Sequence, residues 1–140
     1  MSVAIDRIRW RLHPLNAVLL AGALALFLAA MLSDIAYFRS YQIQWSNFSS
    51  WLLAGALVVG AFAFVAAIVA LLRTRSRAWP TVYALLLLAV WILGFIEALV
   101  HARDAFAIMP TSLVLSVIVV VLACVALWIA FAGMRTGGAS

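Results

Sequence analysis

Four long stretches of the sequence are almost entirely apolar, and they constrain the fold more than any other feature. A bilayer core about 30 Å thick is crossed by a helix of about 20 mainly apolar residues. Hydrocarbon offers no hydrogen-bond partners to backbone N–H and C=O groups, so such stretches cross a bilayer as helices. We predict four spans, at about residues 14–36, 50–72, 80–100 and 110–134.

The composition also indicates a membrane protein. Of the 140 residues, 69% are hydrophobic and 9% are charged, and the mean hydropathy is +1.24. Soluble domains average about 45–50% apolar and about 25% charged residues. A chain of this size cannot hide so much apolar surface from water. We therefore expect the lipid bilayer to surround the protein, and a single transmembrane domain to cover residues 1–140.

The segments between the spans are short, and they predict how the helices are arranged. They cover residues 37–49, 73–79 and 101–109. Short connections make consecutive helices antiparallel neighbours. The predicted fold class is therefore all-α, an up-down bundle of four transmembrane helices.

The distribution of arginine predicts the orientation of the bundle. Four spans place both chain ends on one side, and seven of the nine basic residues fall on that side: Arg7, Arg9, Arg11, Arg73, Arg75, Arg77 and Arg135. Only Arg39 and Arg103 fall on the other side. Basic residues in short loops favour the cytoplasmic side. We expect a bacterial inner-membrane protein with both termini in the cytoplasm.

The net charge of +5 also raises the possibility of a nucleic-acid partner. Proteins that bind nucleic acid gather their cations on a folded polar surface. Here the arginines stand between apolar runs, so we expect no nucleic-acid partner.

Small residues follow one face of the second span and predict close helix packing. In lipid, helices associate through backbone approach at small residues. The first span offers Ala21, Ala25 and Ala29 at similar spacing. One of the two small-residue faces is also a candidate homo-oligomer contact. The predicted packing face of the second span consists of Ala56, Gly60, Ala63, Ala67 and Ala70.

Most of the ionisable residues outside the arginine-rich segments gather near the outer ends of the spans. Glu97, His101 and Asp104 share one face if the third helix persists, because they stand four and then three residues apart. Asp34 lies at the same membrane level near the end of the first span. Together with Arg103, these residues form a candidate polar cluster.

Three interpretations of this group remain open. It can have a purely structural role, in which the side chains pair and hold the helix ends together. The residues concerned are Asp34, Glu97, His101 and Arg103. It can be a site for a proton, a quinone or a small substrate, since a His–carboxylate pair exchanges protons near neutral pH. A metal site is disfavoured because no HxxxH or HxxE triplet closes a coordination sphere, although His and carboxylates bind divalent ions. We predict no metal.

The sequence does not predict a cofactor or a catalytic set. A haem held by two histidines is disfavoured within one chain, because His13 and His101 belong to opposite membrane faces about 30 Å apart. Haem ligation by one His or between subunits stays open, as does quinone binding. No Gly-rich phosphate loop, Ser/His/Asp constellation or CxxC pair is present. We therefore expect that the protein is not an enzyme.

A second candidate motif opens the first span. Pro14 suits the first turn of a helix because its missing N–H is not needed there. His13 stands at the expected cap, and Asn16 follows about one turn later, where its side chain can hydrogen-bond a neighbouring helix.

Three motifs resemble the DUF2231 group of predicted bacterial membrane proteins over most of the chain. They are "HPL" before an apolar span that ends in Asp (His13–Leu15), "W-x(5)-WLLAGALV-x-G" (Trp45–Gly60) and "PTSLVLSVIVV" (Pro110–Val120). The resemblance implies four spans and a connection to periplasmic redox proteins. His13, Pro14 and Asp34 match the family pattern. A second Pro, typical near Leu19 and Leu20, is absent, as is a His often found near the start of the third span.

Two roles are compatible with these features. We expect an accessory or anchoring subunit, whose partner is a periplasmic redox protein that docks on the outer loops. The alternative is an oligomeric small transporter or proton-coupled channel. This role is suggested by Glu97, which would lie near a transport pathway.

Overall fold

The computed structural model describes residues 13–75, 77–103 and 107–137, with side chains up to residue 132. The described residues form four α-helices: α1 (Pro14–Ser40), α2 (Ile43–Arg73), α3 (Ala78–His101) and α4 (Thr111–Gly137). By length and composition, all four are apolar enough to span a membrane. This confirms the all-α class and the four-helix bundle.

The four helices pack in chain order and form a closed ring. α1 contacts α2, α2 contacts α3, α3 contacts α4, and α4 closes the ring against α1. Each helix therefore has two main neighbours, as expected when short connections join antiparallel helices. Arg73, Arg75 and Arg77 lie at one end, called here the arginine end. Asp34 and His101 lie toward the other, called here the cluster end.

The connection between α1 and α2 is much shorter than the sequence suggested. We expected the connection to cover residues 37–49, but only Tyr41 and Gln42 separate the two helices. Tyr41 ends α1 in the left-handed conformation (φ 51°), and its N–H donates to the carbonyl oxygen of Tyr37. Both helices continue past the predicted spans because polar residues outside hydrocarbon can still form helix. The apolar pattern marks the membrane boundary rather than the helix end.

The outer surface of the bundle is apolar along the helices. Val18, Phe62 and Trp128 are 67%, 63% and 78% exposed, and many other large apolar side chains are also exposed on this outer surface. Exposed apolar surface on this scale is incompatible with water. It matches a bundle surrounded by hydrocarbon.

Small side chains fill much of the interior, where they allow the backbones to approach. On α2, Ala56, Ala63 and Ala67 are buried, whereas Gly60 and Ala70 are partly buried. Alanines of α4 are buried opposite them. The face of α1 that carries Ala21, Ala25 and Ala29 is not the buried face, because Ala25 is exposed. The buried residues of α1 between its ends include Leu20, Ala23, Phe27 and Ala30.

The interior consists of two large apolar layers and a smaller third one. One layer, toward the arginine end, contains Leu20, Tyr83 and Ala126. The middle layer contains Phe27, Leu53, Val90 and Val119. Tyr37, Val100 and Ile108 pack together at the cluster end. Between the middle layer and this last group lies a set of polar side chains.

Candidate functional site

Five polar side chains from three helices meet inside the cluster end. α1 contributes Asp34, α3 contributes Glu97 and His101, and α4 contributes Ser112 and Ser116. We call these five residues the polar cluster. Asp34, Glu97 and Ser112 are completely buried, Ser116 is 1% exposed and His101 is 9% exposed. Groups this polar require partners in such surroundings, because an unpaired buried polar group is costly.

His101 links α3 to α1. Its Nε2 lies 2.8 Å from Asp34 Oδ1, and its Nδ1 lies 3.0 Å from the backbone carbonyl oxygen of Glu97. A carbonyl oxygen only accepts hydrogen bonds, so Nδ1 is the donor in the second contact. The contact fixes the ring orientation. A single proton then lies between Nε2 and the Asp34 carboxyl.

Two serines bind the other oxygen of Asp34. Ser112 Oγ donates to Asp34 Oδ2 at 2.6 Å, and Ser116 Oγ lies 3.0 Å from the same atom. Asp34 therefore contacts three side chains from two other helices. Its carboxyl holds α1, α3 and α4 together at this level.

Ser116 also connects Asp34 to Glu97, since its Oγ contacts Glu97 Oε1. A hydroxyl has one hydrogen and can donate to only one of the two carboxyls. Ser116 can form hydrogen bonds with both Asp34 and Glu97 only if one of these two carboxyls is protonated and donates to the serine oxygen. His101, Asp34, Ser116 and Glu97 therefore form one continuous chain of polar contacts.

One oxygen of the polar cluster remains without a partner. Glu97 Oε2 is buried and accepts no hydrogen bond within the described part of the chain. Buried polar atoms in folded proteins nearly always have a partner, so each exception requires an explanation.

His101 borders a recess at the surface of the cluster end. The recess has a volume of about 470 Å³ and separates the start of α2 from the end of α3. Its lining is mostly polar: Ile43, Gln44, Ser46, Asn47, Ser50, His101 and Arg103. His101 thus belongs to both the polar cluster and the lining of the recess, although its side chain is only 1% exposed.

The donor set of the polar cluster also suits a cation. Asp34, Glu97 and His101 each offer one ligating atom, and these three atoms all lie within 4.8 Å of one another. His nitrogen and carboxylate oxygen are common ligands of divalent transition metals.

Comparison with known families places the chain. The family model for predicted membrane proteins named DUF2231 matches residues 12–133. The chain belongs to the DUF2231 family. The match covers all four spans and every residue of the polar cluster. No curated protein and no solved structure matches the chain.

In this DUF2231 protein, the structure brings together three of the five residues expected in the outer group. Asp34, Glu97 and His101 meet, although Asp34 is distant in sequence. Arg103 is exposed and lines the recess rather than the interior. Asp104 lies outside the described residues.

The motif at the start of α1 lies at the opposite end of the bundle. The N–H of Leu15 donates to His13 Nδ1 at 3.2 Å, so His13 caps the helix, and Pro14 occupies its first turn. Asn16 is buried on the inner side of α1. These residues are far from the polar cluster and begin the first span.

Sequence reasoning missed the two serines as part of the site. Ser112 and Ser116 stand in the apolar fourth span, where an isolated serine does not by itself indicate a site. The available signal is their spacing of four residues, which places both hydroxyls on one face of α4. That face continues inward through Val119 and Ala123, both buried.

Proposed function

We propose that this DUF2231 protein is an accessory membrane subunit that docks a partner protein at its cluster end. The observation that carries the proposal is the length of α2. Its 31 residues extend about 45 Å at about 1.5 Å per residue. The hydrocarbon core takes only about 30 Å. The first turns of α2 therefore extend beyond the hydrocarbon at the cluster end.

The projecting turns of α2 carry side chains suited to a protein contact. Trp45 and Phe48 are 37% and 53% exposed, and Gln44 and Asn47 are exposed beside them. Aromatic side chains are enriched at protein interfaces. These residues lie next to the recess, so one partner can contact both.

The cluster end is held rigid, which favours docking of a preformed surface. Asp34 joins α1, α3 and α4, as described above. Ser49 of α2 adds the fourth helix by donating to the carbonyl oxygen of Ala30 at 3.2 Å.

Charge indicates the chemistry of the partner. Arg39 and Arg103 are exposed at the cluster end, and complementary potentials guide protein association. We propose a partner with an acidic docking surface, in the class of periplasmic redox proteins that the family resemblance implies.

The proposed orientation places the arginine end in the cytoplasm of a bacterial inner membrane, together with both termini. Short basic loops favour that side. After replacement of Cys124 by serine, Gln44→Cys is expected to react with a membrane-impermeant maleimide in intact cells. Arg75→Cys is expected to react only after permeabilisation. The reverse labelling pattern would overturn the orientation.

A photo-crosslinking amino acid at position 45 tests the docking proposal in native membranes. We expect a discrete adduct with one acidic protein, identified by mass spectrometry and weakened by Arg103→Glu. The matched control is the same amino acid at position 128, since Trp128 is also aromatic and exposed but lies away from the cluster end. Only lipid or self-adducts at both positions would contradict docking.

The alternative role of oligomeric transporter or proton-coupled channel has less support. Between the polar cluster and the arginine end, the described interior consists of two apolar layers that include Phe27, Leu53 and Leu87. A polar path would have to run between chains rather than through one bundle.

A further inference from the structure

We propose that the polar cluster binds one divalent first-row transition metal ion through Asp34, Glu97 and His101. This site is independent of the docking role. It was not expected from the sequence, because no local motif supplies its ligands. The tertiary fold supplies them from α1 and α3.

The distances support a common ligand position. The three ligating atoms lie within 4.8 Å of one another, with one atom taken from each residue. Metal–nitrogen and metal–oxygen bonds of about 2.0–2.2 Å place ligands of one ion about 3–4 Å apart. A small contraction and the loss of bridging protons would therefore complete the arrangement.

The unpartnered oxygen of Glu97 is the second observation that points to a cation. Glu97 is completely buried, and its Oε2 has no hydrogen-bond partner within the described ranges. A buried carboxylate oxygen with free lone pairs, in a residue whose carboxyl lies close to Asp34 and His101, is a group that a cation can neutralise. Metal binding would give this oxygen the partner that the protein does not supply.

The ligand types select the class of ion. One nitrogen and carboxylate oxygens favour Mn²⁺, Fe²⁺, Co²⁺ or Zn²⁺ over Ca²⁺ and Mg²⁺, which prefer all-oxygen sites. Ser112 and Ser116 hydrogen-bond Asp34 and so orient its carboxylate. The carbonyl oxygen of Glu97 holds His101 Nδ1 and leaves Nε2 as the ligating atom. Partners of this kind tune metal affinity in known sites.

The recess provides a route to the site. His101 lines it and also contacts Asp34, so the recess borders the site. Arg103 lines the same recess and repels cations. Arg103→Gln should therefore speed metal entry without changing the number of ions bound.

Titration of the metal-free protein in nanodiscs with Co²⁺, followed by competition with Zn²⁺, tests the site. We expect one ion per chain, a visible Co²⁺ absorption and release of protons on binding. Glu97→Gln should weaken binding by at least about tenfold, since even outer partners of a metal contribute about 10–100-fold. This variant keeps the Asp34–His101 contact, so it separates ligand loss from unfolding.

One control and one further variant complete the experiment. His13→Gln removes the histidine at the opposite end and should leave Co²⁺ binding unchanged. If Glu97→Gln is poorly folded by thermal melting, Ser116→Ala provides a second test through a smaller loss of affinity. Absence of Co²⁺ binding, or binding that neither Glu97→Gln nor Ser116→Ala weakens, would overturn the site. Neither result depends on the crosslinking at position 45.

Discussion

Replacing Asp34 with alanine is expected to destabilise the protein by about 3 kcal/mol. Interhelical hydrogen bonds in membranes average about 0.6 kcal/mol each, which gives about 2 kcal/mol for the three partners of Asp34. The substitution also leaves His101 buried without the Asp34 carboxylate as its partner. Removing one partner of a buried pair costs about 3–5 kcal/mol. Unfolding in SDS and thermal melting in detergent measure the effect.

Two further variants identify the cause of that loss. Arg39→Ala changes an exposed residue of the same helix and should stay within about 0.5 kcal/mol of the parent. Asp34→Leu combined with His101→Leu should recover much of the stability, because replacing both partners leaves no uncompensated pair. The freed serines can bond their own helix, as Ser33 and Ser50 already do. A parental melting temperature for Asp34→Ala would contradict the role of Asp34 as the junction of three helices.

Replacing Gly94 with leucine is expected to cost about 3 kcal/mol by overpacking. A Cβ atom at Gly94 would lie 2.8 and 2.9 Å from the Cε1 and Cζ atoms of Phe27. Phe27 is 2% exposed and packs in the middle layer with Leu53 and Val90, so the ring would have to shift within that layer. Thermal melting and the fraction of folded monomer in detergent measure the loss.

Gly22→Leu is the matched control for Gly94→Leu. A Cβ atom at Gly22 meets its nearest neighbour, Val59 Cγ1, at 3.7 Å, which is ordinary contact. Gly22 is also exposed, so a larger side chain can extend into lipid. Phe27→Leu should partly rescue Gly94→Leu by shortening the side chain that it meets. Equal losses for the two glycine substitutions would show that helix distortion, and not the Phe27 contact, is responsible.

The apolar runs predicted the number of helices and their neighbours, because hydrocarbon leaves the backbone no alternative to helix. They did not predict helix rotation. Spacing of small residues on α1 suggested Ala21, Ala25 and Ala29, yet Ala25 faces outward. In uniformly apolar spans, alanine is tolerated on either side, so it carries little information.

Polar residues within the spans indicate rotation better than alanine does. Steps of four and three residues back from Asp34 reach Ala30, Phe27, Ala23 and Leu20, all of which are buried. The same steps back from Glu97 reach buried residues of α3, namely Gly94, Val90, Leu87 and Tyr83. A charged side chain must avoid lipid, so it fixes which side of its helix faces inward.

The composition of the site depended on contacts between distant segments. Glu97 and His101 share a helix face, and their proximity could be predicted from spacing alone. The contact of His101 with Asp34 depends on how α1 packs in the bundle, and no local pattern encodes it. For the same reason, the absence of a local metal motif was a poor guide to the donor set that the fold assembles.

The two-residue connection between α1 and α2 has a mechanical consequence. With only Tyr41 and Gln42 between them, the two helices form a stiff hairpin, and a force that tilts one must move the other. Trp45 and Asp34 lie on either side of this connection, so a protein pressing on Trp45 would also displace the end of α1 that carries Asp34. Strain applied outside the bilayer would thus reach the carboxyl that His101 and both serines share, and would loosen or tighten its grip on them.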